Sequence, residues 1–278
     1  MRPTVLRPSG HTPRGVRAAS CTVAIAALLL AGCSRPSIPA PTVLPPTTAS
    51  ATSAPTATPS PAGLEVTDGL GRTFAVALSD GALTTGTSDL GEGAVQVVAT
   101  FATRDAVLAL PAPEGARWEV QSDRSAVLVD DARPEVGGLA PPTAKDAAGT
   151  PVGTLVEGDG ERLEVRLRAR GTAQLPVTVT LDVAPSALDR AEWADRLEGG
   201  RSLQVFPTAF GRSGSVAALE AVRQALAAAE PKAATSVMDK QLRCHALGAP
   251  TKESWNLEPW RPDVDYLEYL LARCNPVD

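Results

Sequence analysis

Apolar and polar residues alternate with a period of two along much of segment 63–195, and this spacing predicts β-strands with one buried face. In segment 175–183, Val177, Val179 and Leu181 alternate with Thr178 and Thr180. The same kind of pattern predicts further strands at 74–78, 94–101, 106–110, 117–120, 126–129, 151–156 and 162–168. Many short strands separated by turn residues predict an antiparallel, sandwich-like region.

The pattern changes near residue 196, where helical spacing appears. Segment 203–206 is predicted to be a strand, and helices are predicted at 216–230, 237–247 and 264–273. Ser236 and Asp263 are the expected N-caps of the second and third helices. We expect the third helix to bury Val264, Leu267, Leu270 and Leu271. The C-terminal module is therefore predicted to be small and mostly helical, which makes the fold class α+β.

The N-terminus has the composition of a bacterial secretory signal. Four arginines and no acidic residue precede an apolar run that ends at Leu30-Ala31-Gly32-Cys33. This run of roughly 12 residues is shorter than the ~20 that a membrane-spanning helix needs. Its last four residues resemble the lipobox of bacterial lipoproteins. The resemblance implies cleavage after Gly32 and a diacylglyceryl group on Cys33; an ordinary secretory peptide with a chance cysteine is the alternative.

The net charge of the predicted mature chain restricts the classes of partner that it can bind. The full sequence has 26 Lys and Arg against 31 Asp and Glu, and removal of the four signal arginines leaves 22 against 31. This acidic balance argues against nucleic acid, whose binding depends mainly on Lys and Arg contacts to phosphate. It also argues against a polybasic membrane patch, so the acyl chains on Cys33 are expected to hold the protein at the membrane.

Segment 34–62 is nearly all Pro, Thr, Ser and Ala and is predicted to be a disordered linker. Such a linker spans roughly 30 Å as a coil and about 90 Å as extended polyproline. Four segments are thus predicted: a lipoprotein signal peptide (1–32), lipidated Cys33 with its linker (33–62), a β-rich region (63–195) and a C-terminal module (196–278).

Two cysteines, Cys244 and Cys274, remain once Cys21 is removed and Cys33 is acylated. An exported chain meets oxidising conditions, so this pair predicts a disulfide. A metal site formed by Cys244, His245 and Cys274 is the alternative. Adjacent Cys and His ligands fit poorly around one zinc ion, and no fourth ligand is evident.

Three blocks in the C-terminal module resemble a known family. They are Met238-Asp239-Lys240-Gln241-Leu242-Arg243-Cys244-His245, the segment from Lys252 to Pro262, and Cys274-Asn275-Pro276. They are similar to the mainly actinobacterial family catalogued as domain of unknown function 2599, which is known from exported proteins. The resemblance covers roughly the last 80 residues. It implies an extracytoplasmic domain with a structural cysteine pair, and it implies no activity.

Trp255, Trp260, Tyr266 and Tyr269 cluster within this module. One interpretation is that both tryptophans anchor an irregular loop onto small helices. Another is that they form an aromatic platform for a sugar or a peptide, with Trp255, Trp260 and Lys252 as the binding candidates and Glu258 and Arg261 as polar partners.

His245 is the catalytic candidate in a third interpretation. It would act as general acid or base, oriented by Glu258 or Asp239, with Lys252 or Arg261 stabilising an anion. A hydrolase of wall or extracellular polymers would follow. A structural, hydrogen-bonded histidine beside a disulfide is the competing interpretation.

The sequence therefore predicts a lipid-anchored envelope protein on the extracytoplasmic side of the cell membrane. The favoured function is a non-enzymatic binding or structural module, with a cell-wall polymer or another envelope protein as partner. No cofactor and no metal are expected.

Overall fold

The computed structural model describes residues 61–168, 173–196 and 199–277. The predicted signal peptide, the lipidation candidate Cys33 and the linker up to residue 60 lie outside the described residues. Within the described ranges, no helix is long and apolar enough to cross a bilayer. In chain order, the elements are β1 (Ala62–Thr67), β2 (Thr73–Leu78), β3 (Gly81–Thr87), β4 (Val95–Phe101), β5 (Val107–Pro111), β6 (Ala116–Val120), β7 (Ala126–Asp130), β8 (Gly137–Leu139), β9 (Thr143–Lys145), β10 (Thr154–Gly158), β11 (Arg162–Leu167), β12 (Val177–Ala184), β13 (Leu188–Arg196), β14 (Gly200–Pro207), α1 (Val216–Ala229), α2 (Ser236–Gly248), β15 (Trp255–Leu257) and α3 (Tyr266–Leu271).

Two antiparallel sheets form the first part of the fold. One has the strand order β1-β2-β5-β11-β10, and the other has the order β3-β4-β12-β8-β7-β6, with β9 also paired to β12. Alternate residues point inward, as in β2, where Phe74, Val76 and Leu78 are buried. Inward residues of both sheets belong to one hydrophobic cluster, which contains the fully buried Phe101 and Leu181. The predicted β-rich region is confirmed.

The strands predicted from alternation between residues 74 and 183 are all present, with ends shifted by a few residues. The alternation does not identify β1, β3, β8 or β9. β3 lies at the edge of its sheet and is mostly exposed, so its sequence carries little apolar signal. β8 and β9 have three residues each, which is too short for a periodicity to emerge.

The prediction of a mostly helical C-terminal module is wrong. β13, β14 and β15 form a third antiparallel sheet in that order. β13 pairs with β14 along nearly its whole length, from Leu188 opposite Pro207 to Arg196 opposite Gly200. In its charge-rich sequence only Ala191 and Trp193 alternate towards the core, which is too short a pattern to identify the strand. The predicted boundary at residue 195 lies inside this strand.

The predicted helix caps are also corrected. Thr235, not Ser236, caps α2, and its hydroxyl accepts a hydrogen bond from the Met238 N–H at 3.2 Å. Asp265 stands at the N-cap position of α3 and makes no side-chain cap hydrogen bond. Asp263 binds the Lys240 ammonium at 2.6 Å instead.

The predicted buried side of α3 is wrong for Leu267 and Leu271, which are 64% and 76% exposed. The helix has only six residues and is anchored by Tyr269. That side chain is fully buried beside Cys244 and Cys274, and its hydroxyl donates to the Pro262 carbonyl at 2.8 Å. The hydrophobic contact of a short helix is here set by one aromatic residue rather than by an aliphatic stripe.

The N-terminus of α1 docks on the two-sheet region. The turn between β6 and β7 supplies two acceptors: Asp123 Oδ2 lies 2.8 Å from the Val216 N–H, and Ser125 Oγ lies 3.0 Å from the Ala217 N–H. These bonds satisfy helix donors that have no partner within the helix. Buried alanines of α1 then share a hydrophobic cluster with Val127 of β7, so both regions are parts of one compact unit.

Candidate functional site

A polar cavity of about 300 Å³ lies between α2, the segment around β15 and the C-terminal tail. It is lined by His245, Lys252, Ser254, Asn256, Glu258, Arg261 and Asn275. The four polar candidates of the sequence analysis, His245, Lys252, Glu258 and Arg261, are thus brought together. The other three lining residues were not predicted.

The strand β15 places its alternate side chains on opposite faces, as pleated backbone requires. Trp255 and Leu257 are fully buried in the core, opposite Val205 and Leu203 of β14. Ser254, Asn256 and Glu258 lie on the other face and line the cavity. The alternation in Ser254-Trp255-Asn256-Leu257-Glu258 is the sequence signal that could have found this face.

Neither predicted tryptophan platform residue lines the cavity. Trp255 is 0% exposed, so it offers no ring face to a ligand, and its indole N–H donates to the Ala249 carbonyl at 3.0 Å. Trp260 is half-buried and covers Gly199 and Gly200, where a Cβ on Gly199 would come within 3.1 Å of the ring. Trp255 therefore anchors its segment in the core, and the interpretation of Trp255 as part of an aromatic platform for a ligand is wrong.

His245 lies on the buried face of α2 and is 4% exposed. Its Nε2 is 3.1 Å from the Asn256 carbonyl oxygen, which can only accept, so Nε2 carries the proton of the neutral ring. Nδ1 is then an acceptor, and it is buried with no hydrogen-bond partner among the described residues. Burial lowers the pKa of His245; the nearby Lys252 charge lowers it further, while the bond to Asn256 opposes the shift.

Glu258 and Arg261 form a buried ion pair at 2.6 Å between Oε2 and Nε. The fully buried Gln241 fixes the backbone of Glu258 with two hydrogen bonds, one donated to its carbonyl at 2.9 Å and one accepted from its N–H at 2.8 Å. Arg261 Nη1 also donates to the Pro276 carbonyl at 3.3 Å. These bonds hold one wall of the cavity rigid.

Arg212 holds the loop that carries Lys252. Its guanidinium donates to the carbonyls of Pro207 at 2.9 Å, Pro250 at 3.0 Å and Glu253 at 2.6 Å, and also to the carbonyl of Lys252. Burial lowers the pKa of Arg212, and the charge of Glu253 opposes that effect. No local sequence signal distinguishes Arg212 from a surface arginine, so sequence reasoning missed it.

The disulfide between Cys244 and Cys274 is confirmed, and the alternative of a metal site at Cys244, His245 and Cys274 is wrong. The bond ties α2 to the tail that carries Asn275 and Pro276. Nowhere in the part of the chain that the structure describes do three or more His, Cys, Asp or Glu side chains cluster as metal ligands.

The carboxylates proposed to orient His245 have other partners. Asp239 accepts from Arg223 Nε at 2.7 Å, and Glu258 is bound to Arg261. The imidazole is oriented by a backbone carbonyl instead. His245 and Glu258 share a cavity, but they are not joined as an acid–base pair.

The part of the chain that forms the cavity is similar to a known protein family. The profile described as "Protein of unknown function (DUF2599)" matches residues 188–277. An uncharacterized protein of Mycobacterium tuberculosis is 41% identical over 101 residues, which cover 34% of this chain and 68% of the relative. The chain belongs to the DUF2599 family. An uncharacterized protein of Mycobacterium leprae is 36% identical over 97 residues, covering 32% of this chain and 78% of the relative. No solved structure matches.

The resemblance seen in the sequence is therefore confirmed, and it includes actinobacterial relatives. The DUF2599 region begins at the first residue of β13 and contains every residue that lines the cavity. The two-sheet region lies outside the matched residues. The cavity is thus a feature built entirely from the DUF2599 part of the chain.

Proposed function

We propose that the protein is a lipid-anchored binding module of the bacterial envelope and that its DUF2599 region holds a polar ligand in the cavity beside His245. The partner is a cell-wall polymer or another envelope protein. The observation that carries this proposal is the cavity itself, which polar side chains of α2, the β15 segment and the tail line together. Ligand sites place a few convergent polar groups in a concave pocket, and these groups converge here.

The arrangement favours binding over catalysis. A general base needs a partner that orients it and stabilises its protonated form, and a carboxylate usually does this. Here a neutral backbone carbonyl holds His245, and burial lowers its pKa. Glu258, the carboxylate in the same cavity, is already engaged by Arg261.

Wall binding tests the proposed site. The purified full-length chain should sediment with isolated mycobacterial cell walls or crosslink to an envelope protein. Ser254→Leu should abolish this association because the larger side chain fills the cavity. Thr251→Leu is the matched control, since it lies in the same loop, is exposed and does not line the cavity. Full association of a folded Ser254→Leu protein would rule the cavity out.

The anchor is tested by membrane fractionation. Cys33→Ser should move the protein from the membrane to the soluble fraction, because stable attachment needs the acyl chains. Cys21→Ser, within the predicted signal, should leave the protein in the membrane. Membrane retention of Cys33→Ser would contradict the lipid anchor.

A hydrolase is the second candidate, because His245 lines the same cavity as Glu258. It predicts that the protein releases soluble sugars from purified walls and that His245→Gln stops the release. We expect no release from either protein.

A further inference from the structure

The charged groups around the cavity leave one cation without a counter-ion. Glu258 and Arg261 neutralise each other at 2.6 Å. Lys252 lines the same cavity and takes part in no ion pair within the described residues. The charge of Lys252 also acts on the buried His245 ring, whose pKa it lowers. The charged side chains that line the cavity therefore have a net positive charge, which attracts an anion.

The lining and the size restrict the ligand further. Every lining side chain is polar, and Ser254 and Asn275 add a hydroxyl and an amide that can both donate and accept. A volume of about 300 Å³ is at the small end of ligand pockets, which suits one hydroxylated ring or a short polyol. An apolar ligand would leave these groups without partners.

We propose that the cavity binds an acidic or phosphorylated sugar unit, that is, a carboxylate or phosphate group on a hydroxylated carbon frame. Lys252 pairs with the anion, and ligand hydroxyls form hydrogen bonds with Ser254 and Asn275. This inference rests on the proposed function and adds the chemical class of the ligand.

Calorimetric titration of the full-length chain in detergent tests the ligand class with four probes: glucuronate, glucose 6-phosphate, glucose and inorganic phosphate. At least one of the two sugar anions should bind about tenfold more tightly than either glucose or inorganic phosphate, as expected for a hydrogen bond to a charged group. The tighter sugar anion tells whether the anion is a carboxylate or a phosphate.

Variants of the exposed Lys252 separate charge from folding. Lys252→Met should weaken binding of the tighter sugar anion by about tenfold and leave glucose unchanged. Lys252→Arg should restore binding because it keeps the charge. Lys232→Met, at an exposed lysine outside the cavity, should have no effect.

Each failure has a distinct meaning. If glucose binds as tightly as both sugar anions, or if Lys252→Met binds like the natural chain, the anionic class is wrong, while loss of wall binding in Ser254→Leu still supports the cavity as the site. If none of the four probes binds, the ligand class is wrong whatever the wall assay shows. Intact wall binding in Ser254→Leu would instead overturn the proposed function itself.

Discussion

The two-sheet region and the DUF2599 region both bury polar side chains, and they differ in where these side chains lie. The first packs apolar side chains such as Phe101 between its sheets, and its buried Asp68–Arg72 ion pair at 2.7 Å lies in the turn between β1 and β2. The second has a core rich in alanine and buries Gln241 and His245 beside its cavity. Burial of apolar surface is non-directional, whereas buried polar groups require specific partners. The contrast teaches that buried polar groups hold a turn in the first region and surround a cavity in the second.

Loss of Arg261 should give the largest effect in this comparison. Arg261→Met leaves the buried Glu258 carboxylate without its cation, and the free energy of unfolding should fall by about 3–5 kcal/mol. Arg166→Met is the matched control in the two-sheet region, where an exposed pair with Glu164 should contribute less than about 1 kcal/mol. Denaturant unfolding measures both. Equal losses would contradict the claim that burial makes the Glu258–Arg261 pair important for stability.

Removal of the disulfide should be the next largest effect. The double substitution Cys244→Ser and Cys274→Ser should lower the stability of the DUF2599 region by about 3–4 kcal/mol, given the sequence separation of 30 residues. It should also loosen Asn275 and weaken wall binding. Amide hydrogen exchange should rise in α2 and α3 and stay unchanged in β4 and β12. Reducing agent should reproduce the change in the natural chain and add nothing in the double variant.

The smallest effect is a pH dependence confined to the DUF2599 region. Burial holds the pKa of His245 below its ordinary value of 6.5, so the unfolded chain takes up a proton first as the pH falls. Stability is therefore complete above about pH 6.5 and declines as the pH falls towards the folded pKa, by less than about 1.4 kcal/mol per pH unit. His245→Gln should remove this decline. The chain has one other histidine, His11, and any contribution from it remains in His245→Gln.

The carboxyl groups with lowered pKa values affect the stability of the protein in a separate, more acidic pH range. Hydrogen bonds lower the pKa of Asp123 below 3.8 although burial opposes them, and the Lys240 ammonium lowers that of Asp263. Their stabilisation is present at neutral pH and is lost only as the pH falls below about 4. A decline between pH 7 and 5 that persists in His245→Gln would contradict the assignment to His245.

The same contrast explains what the sequence could predict. Strands such as β2, β4 and β12 were predictable because each buries one face against a large core, which imposes alternation on the residues. β13 was not predictable, since its pairing with β14 depends on backbone hydrogen bonds and none of its described side chains is fully buried. α3 was placed correctly, but its buried side depends on Tyr269 and the disulfide, which are contacts distant from the helix pattern.

The candidate site was predictable in residue type and not in geometry. His245, Lys252, Glu258 and Arg261 stood out because few histidines and clustered charges occur near the cysteine pair. Their partners did not stand out. The sequence could not show that Arg261 forms an ion pair with Glu258, or that a backbone carbonyl accepts a hydrogen bond from His245. Arg212 is distant in sequence from the loop it holds, so only the folded chain connects them.

The ring nitrogen spectrum of His245 tests the central claim most directly, because the chain has only one other histidine, His11, and the signals that disappear in His245→Gln are those of His245. In the free protein at neutral pH, we predict a proton on Nε2 and none on Nδ1. Addition of saturating wall polymer, or of the crosslinked envelope protein, should shift the His245 nitrogen signals, because the ring lines the cavity and its surroundings change when a ligand fills it. A partner that binds tightly while both nitrogen signals stay unchanged would show that the cavity is not the binding site.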